Sequence, residues 1–526
     1  MFYLKLVIIK IIFLCILIEN VKTARILGVF PIAGKSLNIL SSRLMKGLAD
    51  AGHDVTAISA FDNKFKIANN GSYRNVVLTG FSEKYDALMD QSDFYSSVEK
   101  NSLWASYEIH EMLISFYNET FRHPNVQNFL KEDQTFDLVI IECLWSDSLL
   151  VFQEIYNCPL AIFVHTGGVN PWAYEMVGNP LPISYVPHYW LLTDGANALT
   201  FFERLHNLLF FLFDHVQNYF ISWPDHNEIL KSVLPNLKTD VAKLYYGTPS
   251  LILLGTHNSL RQPVPMAPNM IEIGGFHINP PKSLPNDLQE FLDNAKEGVI
   301  YFSMGSHLLS KSFSEEKKKL FLNAFRKLKV KVLWKFEDEV LPGKPDNVFI
   351  KKWVPQQDIL AHPNVKLFIT HGGYGSTLET VYHGVPTLVI PVFFDQFTNA
   401  NRAVLKGYGL KLSFNDPNFT EEVFSAKIEE LISNPKYMRQ AKYVSQVFHD
   451  RPMKPLETLV YWVEYVIRHK GADHLKLGGA QLPWYKFYMV DVIVFLVLII
   501  LATPYLMIKT FKKIVCKSKA RKQKKN

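Results

Sequence analysis

Short apolar runs alternate along the chain with amphipathic, helix-like segments, and they do so in two blocks. Apolar runs of this length, bounded by turn residues, are typical of buried parallel strands. The first block contains the runs 25–30, 53–59, 136–142 and 159–165. The second block contains the runs 299–304, 331–335, 365–369 and 387–390. Strands that alternate with helices predict two doubly wound α/β domains, 24–280 and 281–475, which meet within the Pro-rich break 277–285.

Several helices are predicted from capping residues and apolar periodicity. Ser36 is placed to cap a helix that ends at Gly52. Ser376 stands three residues before Glu379, which predicts a capping box for a helix that ends at Gly384. Further helices are predicted at 198–220 and 455–469. The first of these is dense in Phe and Leu, which is typical of core or of a pocket wall, with contact to a membrane surface as the alternative.

Both ends of the chain predict a membrane-associated protein. Residues 1–23 carry lysines within a short apolar run, the pattern of a secretory signal peptide. Residues 488–508 form an apolar stretch just long enough to span a bilayer as a helix. The tail 509–526 carries nine Lys or Arg and no acid, which predicts a cytoplasmic tail and lumenal domains. Lys522 and Lys524 resemble a dilysine retrieval signal of the endoplasmic reticulum; a stop-transfer charge cluster is the alternative.

Charge and composition exclude some classes of protein. The net charge of the 526-residue chain is +7, but the basic tail accounts for the excess, so a nucleic-acid partner is not expected. No spacing typical of a metal site is found, and neither a metal nor a cofactor is expected. Cys143 and Cys158, the cysteines of the folded part, are expected to be free core residues, with pairing as the alternative. Three glycosylation sequons are consistent with a lumenal body: Asn70, Asn118 and Asn418.

The richest chemistry lies between Trp353 and Gln396. A buried strand there ends in the Gly-rich turn 371–373, which feeds directly into a helix. Bare N–H groups and the positive end of the helix dipole favour a phosphate at such a turn. Trp353 offers a flat face for a base, and Asp395 with Gln396 offers partners for hydroxyl groups.

This segment resembles the donor-binding signature of the UDP-glycosyltransferase family, and the match has no gap. The residues that carry the resemblance are Trp353, Gln356, His371, Gly373, Ser376, Glu379, Asp395 and Gln396. The resemblance implies a GT-B fold of two Rossmann-like domains that face each other across a cleft. It also implies that the helix near 455–469 crosses back to the first domain, and that no cofactor is needed beyond UDP-sugar as co-substrate.

The resemblance also implies a role for each residue of the signature. Trp353 would stack on uracil, and Glu379 would hold the ribose hydroxyls. His371, the turn amides and Ser376 would hold the diphosphate, and Asp395 and Gln396 would face the transferred sugar. Gly375 and Ser306, which follow a strand-end turn as well, are expected to line the same donor site.

The expected catalytic base is missing from the sequence. The family carries a His after a Lys-Ser pair behind the first strand, oriented by an Asp at the end of a later strand. Here Lys35-Ser36 is followed by Leu37, and the later strand ends in Glu142. Leu37 cannot accept a proton. Glu142 is therefore the candidate base, and Asp147 is a weaker candidate that a helix cap would also explain.

Two functions remain open from the sequence. The first is a membrane-bound enzyme that transfers a hexose, glucose by resemblance to insect members, to small lipophilic acceptors, as in detoxification. The second is a catalytically weak homologue that binds UDP-sugar or a lipophilic ligand as a carrier or a partner subunit in a homo- or hetero-oligomer. Leu37 is the feature that separates them.

Overall fold

The computed structural model describes residues 23–91, 103–167, 170–188, 191, 199–306, 308–393 and 395–523. The predicted signal peptide, apart from Thr23, lies outside the described residues. Within the described part, the two predicted doubly wound α/β domains are confirmed.

The first domain is built on a seven-stranded parallel sheet with the strand order β3-β2-β1-β4-β5-β6-β7. Its first strand pairs with β2 on one side and β4 on the other, so the order reverses there. Ligands bind at the carboxyl ends of parallel strands near such a reversal. The strands are β1 (Arg25–Phe30), β2 (Asp54–Ser59), β3 (Ser72–Val77), β4 (Leu138–Glu142), β5 (Leu160–Val164), β6 (Leu251–Leu254) and β7 (Met270–Glu272).

The second domain repeats this arrangement with a six-stranded parallel sheet of order β10-β9-β8-β11-β12-β13. Its central strands, β8 and β11, are buried along nearly their whole length, as continuous apolar runs predict. The strands are β8 (Val299–Ser303), β9 (Lys331–Lys335), β10 (Val348–Lys351), β11 (Val365–Thr370), β12 (Thr387–Val389) and β13 (Gly409–Lys411).

Helices connect the strands and cover the two sheets. The first domain has α1 (Lys35–Asp50), α2 (Phe81–Gln91), α3 (Leu103–Arg122), α4 (Pro124–Leu130), α5 (Val151–Tyr156), α6 (Pro171–Met176), α7 (Phe201–Gln217), α8 (Trp223–Val233) and α9 (Val241–Tyr245). The second has α10 (Asn286–Asp293), α11 (Glu315–Arg326), α12 (Gln356–Leu360), α13 (Tyr374–His383), α14 (Gln396–Leu405), α15 (Glu421–Ser433) and α16 (Pro435–His449). Three helices follow: α17 (Pro455–Arg468), α18 (Trp484–Phe487) and α19 (Val490–Gln523).

Helix α17 belongs to the core of the first domain although it follows the second domain in sequence. Its buried residues Leu459, Val463 and Val466 lie in one apolar cluster with Ile26 of β1 and Leu44 of α1. Fully burying an aliphatic side chain stabilises a fold by roughly 1.5–3 kcal/mol, so this packing anchors α17 to the first domain.

Two predicted helix caps are wrong. Helix α1 begins after Gly34 and α13 begins after Gly373, and neither helix has a side-chain cap. Ser36 and Ser376 therefore lie inside the first turn, because the chain enters α1 two residues earlier and α13 three residues earlier than the capping pattern predicts. The prediction that α13 ends at Gly384 is confirmed: Gly384 has a φ of 65°, the left-handed conformation that glycine adopts without strain.

Helix α19 contains one segment, Val490–Ile514, that is long and apolar enough to cross a membrane, and its side chains are exposed. Cys143 is buried, Cys158 is half-buried, and both are free thiols.

Candidate active site

A cavity of about 1050 Å³ lies between the carboxyl ends of the two sheets. The second domain contributes polar groups to its wall, and the first domain contributes mainly apolar and aromatic side chains. All ten residues predicted to bind the donor line this cavity: Ser306, Trp353, Gln356, His371, Gly373, Gly375, Ser376, Glu379, Asp395 and Gln396.

The imidazole of His371 is held between two glycine turns. A Cβ added to Gly305 would lie 2.5 Å from Cε1 of His371, and one added to Gly373 would lie 2.4 Å from Nε2. Gly305 also has a φ of 83°, which favours glycine. Side chains at either position would displace the ring. Glycine is therefore required for the imidazole to lie beside the N-terminus of α13, where the helix dipole favours an anion.

Glu379 lies in α13 and is held by two glutamines, not by a cap. Nε2 of Gln356 donates to Oε2 of Glu379 at 2.5 Å, and Nε2 of Gln357 donates to Oε1 at 2.9 Å. Burial raises the pKa of the Glu379 carboxyl, and the two amide donors oppose that rise. Gln356 also donates to Oγ of Ser376 at 2.9 Å. The two glutamines thus set the direction of the Glu379 carboxyl inside the cavity wall.

Trp353 stands at the rim of the cavity and is 62% exposed. The ammonium of Lys335 lies 5.8 Å from the centre of its ring. An exposed indole that lines a cavity leaves a large flat surface available for a planar ligand. This arrangement argues for a stacking platform over a core role.

Asp395 and Gln396 lie where the two domains touch. Oε1 of Gln396 accepts hydrogen bonds from the backbone of Val392 at 2.9 Å and of Phe393 at 3.2 Å, which holds the loop before α14. Oδ2 of Asp395 accepts from Nδ2 of Asn399 at 3.2 Å. Burial raises the pKa of Asp395, and the backbone N–H of Gly167 in the first domain is among the groups that lower it.

The predicted base position lies in the cavity wall, but the two candidate acids do not. Leu37 is half-buried and lines the cavity at the start of α1. Glu142 is buried behind this wall, where Oε1 accepts the backbone N–H of Ile32 at 3.4 Å. Burial raises the pKa of Glu142 to about 8, so its carboxyl is mostly protonated at neutral pH.

Asp147 is also held away from the cavity. It is buried at the start of a short 3-10 turn, and Oδ2 accepts a hydrogen bond from Nε1 of Trp223 at 3.1 Å. Burial raises the pKa of Asp147 to about 7. The N-cap of this turn is Ser146, so Asp147 is not the cap. Its carboxyl binds Trp223 of α8 instead.

Sequence reasoning missed His165, which lines the cavity one residue after β5. Its Nε2 is buried and has no hydrogen-bond partner among the described residues. Burial lowers the pKa of His165 to about 4, so the ring is neutral at pH 7 and is a weak base. The available signal was its place: a polar residue directly after a buried strand of a parallel sheet.

Within the described residues, one group of three potential metal ligands is found away from the cavity: His110, Glu111 and Asp225. Nε2 of His110 lies 3.1 Å from Oδ2 of Asp225, and Nδ1 lies 3.3 Å from Oγ of Ser222. Both ring nitrogens of His110 thus have hydrogen-bonding partners in the protein. These contacts explain the cluster as a structural one.

Comparison with known proteins places these features in a family. The family model described as UDP-glucoronosyl and UDP-glucosyl transferase matches residues 26–526. The chain belongs to the UDP-glycosyltransferase family. A UDP-glycosyltransferase UGT5 of Dactylopius coccus is 39% identical over 494 residues, which cover 91% of this chain and 89% of the relative. A UDP-glucosyltransferase 2 of the same insect is 35% identical, with 97% and 98% covered.

Solved structures show the same fold for this UDP-glycosyltransferase. The UDP-glucose: anthocyanidin 3-O-glucosyltransferase in complex with UDP superposes with a TM-score of 0.55 at 15% identity, and the match covers 85% of this chain and 100% of that one. The predicted GT-B architecture, two Rossmann-like domains with a cleft between them, is therefore confirmed, together with one apolar C-terminal helix. Membership of this family supports glycosyltransferase activity for the chain.

Proposed function

We propose that this UDP-glycosyltransferase transfers a hexose, glucose, from UDP-sugar to small lipophilic acceptors, as in detoxification. The observation that carries the proposal is the single cavity that joins the polar cluster around His371 and Glu379 to the apolar wall of the first domain. Glucose is supported by the name of the insect UDP-glucosyltransferase, which matches nearly the whole chain.

For the donor, each residue has a role that its surroundings support. The exposed face of Trp353 stacks on uracil, and the Glu379 carboxyl, set by its two glutamines, accepts hydrogen bonds from the ribose hydroxyls. His371, Ser376 and Ser306 with the first N–H groups of α13 hold the diphosphate and stabilise the charge of the leaving UDP. Asp395, beside the domain contact, faces the transferred sugar.

For the acceptor, the first domain supplies a largely apolar surface. Burial of apolar surface favours a lipophilic molecule by roughly 25 cal/mol per Å². The side chains of this wall come from the turn after β1, from α1, α2, α3 and α6, and from the loop after β4: Ile32, Leu37, Tyr85, Met112, Leu144 and Trp172.

Two groups compete for the role of base, and we favour His165 over Glu142. Glu142 is protonated at neutral pH and its carboxyl binds the backbone of Ile32, so it has little capacity to take a proton from an acceptor in the cavity. His165 is neutral and its ring lines the cavity, while its unpartnered Nε2 is turned into the protein and away from solvent. A base of low pKa gives modest help, so acceptors that are themselves nucleophilic, such as amines and phenolates, should react best.

Rates of transfer to a phenol test the function and the base together. His165→Gln should lower kcat with a phenol by at most about 10²-fold, the lower end of the range for general bases, and affect an amine less, because an amine starts with a free lone pair. Glu108→Gln is the control, since it removes a titratable side chain from the cavity wall without changing His165. A loss in Glu142→Gln with none in His165→Gln would assign the base to Glu142. If neither phenol nor amine is glycosylated although UDP binds, the chain acts as a carrier or partner subunit, the alternative that Leu37 favours.

The proposed setting is the membrane of the endoplasmic reticulum, with Val490–Ile514 as a single span, a cleaved signal peptide and a lumenal body. Asn70 and Asn418 are exposed and accessible to glycosylation. Asn118 is less accessible to glycosylation. Its Oδ1 accepts a hydrogen bond from Arg122, and the Thr120 side chain of its sequon is fully buried. Protease added to sealed microsomes should remove only the basic tail; digestion of the main body would show the opposite orientation.

A further inference from the structure

Helix α7 has its polar and apolar sides reversed relative to a helix on the surface of a soluble protein. Its buried side chains are polar, namely Asn207, Asp214 and Gln217. Its large apolar side chains are exposed: Phe201, Phe202, Leu205, Leu208, Leu209, Leu212 and Val216. Tyr219 and Phe220, in the π-helical turn that follows, extend the same stripe. At 3.6 residues per turn, the stripe and the buried polar residues lie on opposite sides of the helix.

The reversal is fixed by specific hydrogen bonds to the loop that precedes the helix. Oδ1 of Asn207 accepts from the backbone of His188 at 2.6 Å, and Nδ2 donates to the carbonyls of Ile183 at 2.7 Å and Val186 at 2.8 Å. Oδ2 of Asp214 lies 2.8 Å from Nε2 of His188. A rotation that buried the apolar stripe would leave these polar groups without partners, at a cost of about 1–3 kcal/mol each.

An exposed stripe of this size indicates an apolar partner. Phe202 is 76% exposed and Phe220 is 69% exposed, so the aromatic rings at the two ends of the stripe make little contact with the protein. Contiguous apolar patches of this kind mark sites of association with proteins or membranes. A helix with an apolar face this long is also suited to lie in the plane of a bilayer, buried to a depth of about 5–10 Å.

Contacts of the first domain connect the end of α7 to the root of the membrane helix. Nδ1 of His215 lies 3.5 Å from Oε1 of Glu175, which also accepts a hydrogen bond from the hydroxyl of Tyr246 at 3.0 Å. The next residue, Gly247, packs on Gln481: a Cβ at Gly247 would lie 2.9 Å from Cγ of Gln481. Gln481 stands nine residues before Val490, where the apolar helix begins.

Exposed aromatic residues fill the short segment between these contacts and the helix. Trp484, Tyr485 and Tyr488 are all exposed. Trp and Tyr are enriched at the boundary between membrane and water, where their rings lie at the level of the headgroups. This segment therefore places the bilayer surface close to the His215 end of α7.

We propose that the exposed stripe of α7 lies in the lumenal surface of the same bilayer that the C-terminal helix crosses. The partner is a phospholipid surface and not a second copy of the chain, because contacts through Glu175 and Tyr246 place one end of α7 near the root of the membrane helix. The inference rests on the proposed span Val490–Ile514, and the experiment is designed so that failure of the span is seen separately.

Photocrosslinking of the full chain in phosphatidylcholine vesicles tests this surface. The photoreactive residue p-benzoylphenylalanine replaces Leu209 on the stripe, Leu498 in the proposed span, or Tyr443, an exposed aromatic residue of the second domain. With radiolabelled phosphatidylcholine, we expect positions 209 and 498 to label, with the yield at 209 at least about tenfold above that at 443.

Each other result counts against the inference. Labelling at 498 without labelling at 209, or crosslinking of 209 to a second copy, would overturn the membrane face while leaving the span intact. Absence of labelling at 498 would overturn the span itself, and the inference with it. As a second test, the variant Leu205→Glu, Leu212→Glu and Val216→Glu should reduce lipid labelling from position 209 several-fold without lowering the unfolding temperature, because these side chains are exposed.

Discussion

The guanidinium of Arg402, in the second domain, donates a hydrogen bond to the backbone carbonyl of Gly167 in the first. The same glycine packs on the ring of Tyr374, and a Cβ at Gly167 would lie 2.0 Å from Cδ2 of that ring. Asp395 and Asn399 surround this contact. The two halves of the cleft therefore touch beside the proposed position of the sugar, and the absence of a side chain at Gly167 allows it.

Gly167→Ala should hold the cleft open and lower kcat/KM by about tenfold or more, because small displacements of reacting groups are costly. UDP affinity should change little, since the donor residues belong to the second domain. Gly478→Ala is the matched control, because a Cβ there meets no atom within 4 Å. Steady-state kinetics with UDP titration measures both quantities, and an equal loss in the two variants would contradict the role of the contact.

Trp353→Ala should weaken UDP binding by about 1–3 kcal/mol, the range measured for stacking of a base on an aromatic ring. Glu379→Ala should weaken it as well, because it removes the carboxylate, leaves the amide of Gln357 without its acceptor and leaves the amide of Gln356 with Ser376 alone. Isothermal titration calorimetry gives both affinities. Tyr443→Ala, another exposed aromatic residue, should have no effect. Unchanged affinity in both site variants would remove the donor assignment.

Glu142→Gln should raise the free energy of unfolding relative to the parent, and this gain should be larger at pH 8 than at pH 5. The folded pKa of about 8 is above the unfolded value near 4.3, so the folded state holds a proton that the unfolded state releases. That stabilisation is complete below pH 4 and is lost as the pH rises through 8. A glutamine keeps an acceptor for Ile32 without this loss, and the difference should reach a few kcal/mol in order of magnitude.

Thermal unfolding of both proteins at the two pH values measures this difference. Asp147 and the buried histidines titrate in both proteins, so their effects cancel in the comparison. A difference between parent and variant that is independent of pH would show that Glu142 is ionised in its buried position.

Leu37→His should raise transfer to phenols, because it places a second imidazole on the cavity wall at the start of α1. General bases contribute roughly 10²- to 10⁴-fold, and the gain should be smaller with amines. Leu37→Gln is a polar control that cannot serve as a base. Initial rates with matched phenol and amine acceptors provide the measurement. A parent enzyme that glycosylates alcohols rapidly and is unaffected by Leu37→His would show that position 37 has no part in proton transfer.

Local patterns predicted eight of the thirteen strands of the described residues, because continuous apolar runs determine a buried strand over a few residues. The residues predicted to bind the donor all line one cavity, and their role in binding stays a prediction. The start of α13 was misplaced, since Gly373 is the N-cap, the helix begins at Tyr374, and Ser376 accepts from Gln356 instead of capping. The buried amide pair on Glu379 and the unpartnered ring of His165 depend on contacts across the fold, which no local pattern contains. The reversed faces of α7 depend on the loop around His188 in the same way.

Because α17 packs on the first domain, the core of that domain is complete only after α17 has been synthesised. Domains generally fold from the N-terminus as the chain emerges from the ribosome. Here, however, the apolar surface formed by Ile26 and Leu44 is covered by Leu459 and Val463, which are made more than 400 residues after Leu44. Until α17 emerges, that surface is open to water and to chaperones. The first domain is thus completed only after the second has been translated. A nascent chain arrested between the two domains exposes this apolar surface, which favours aggregation.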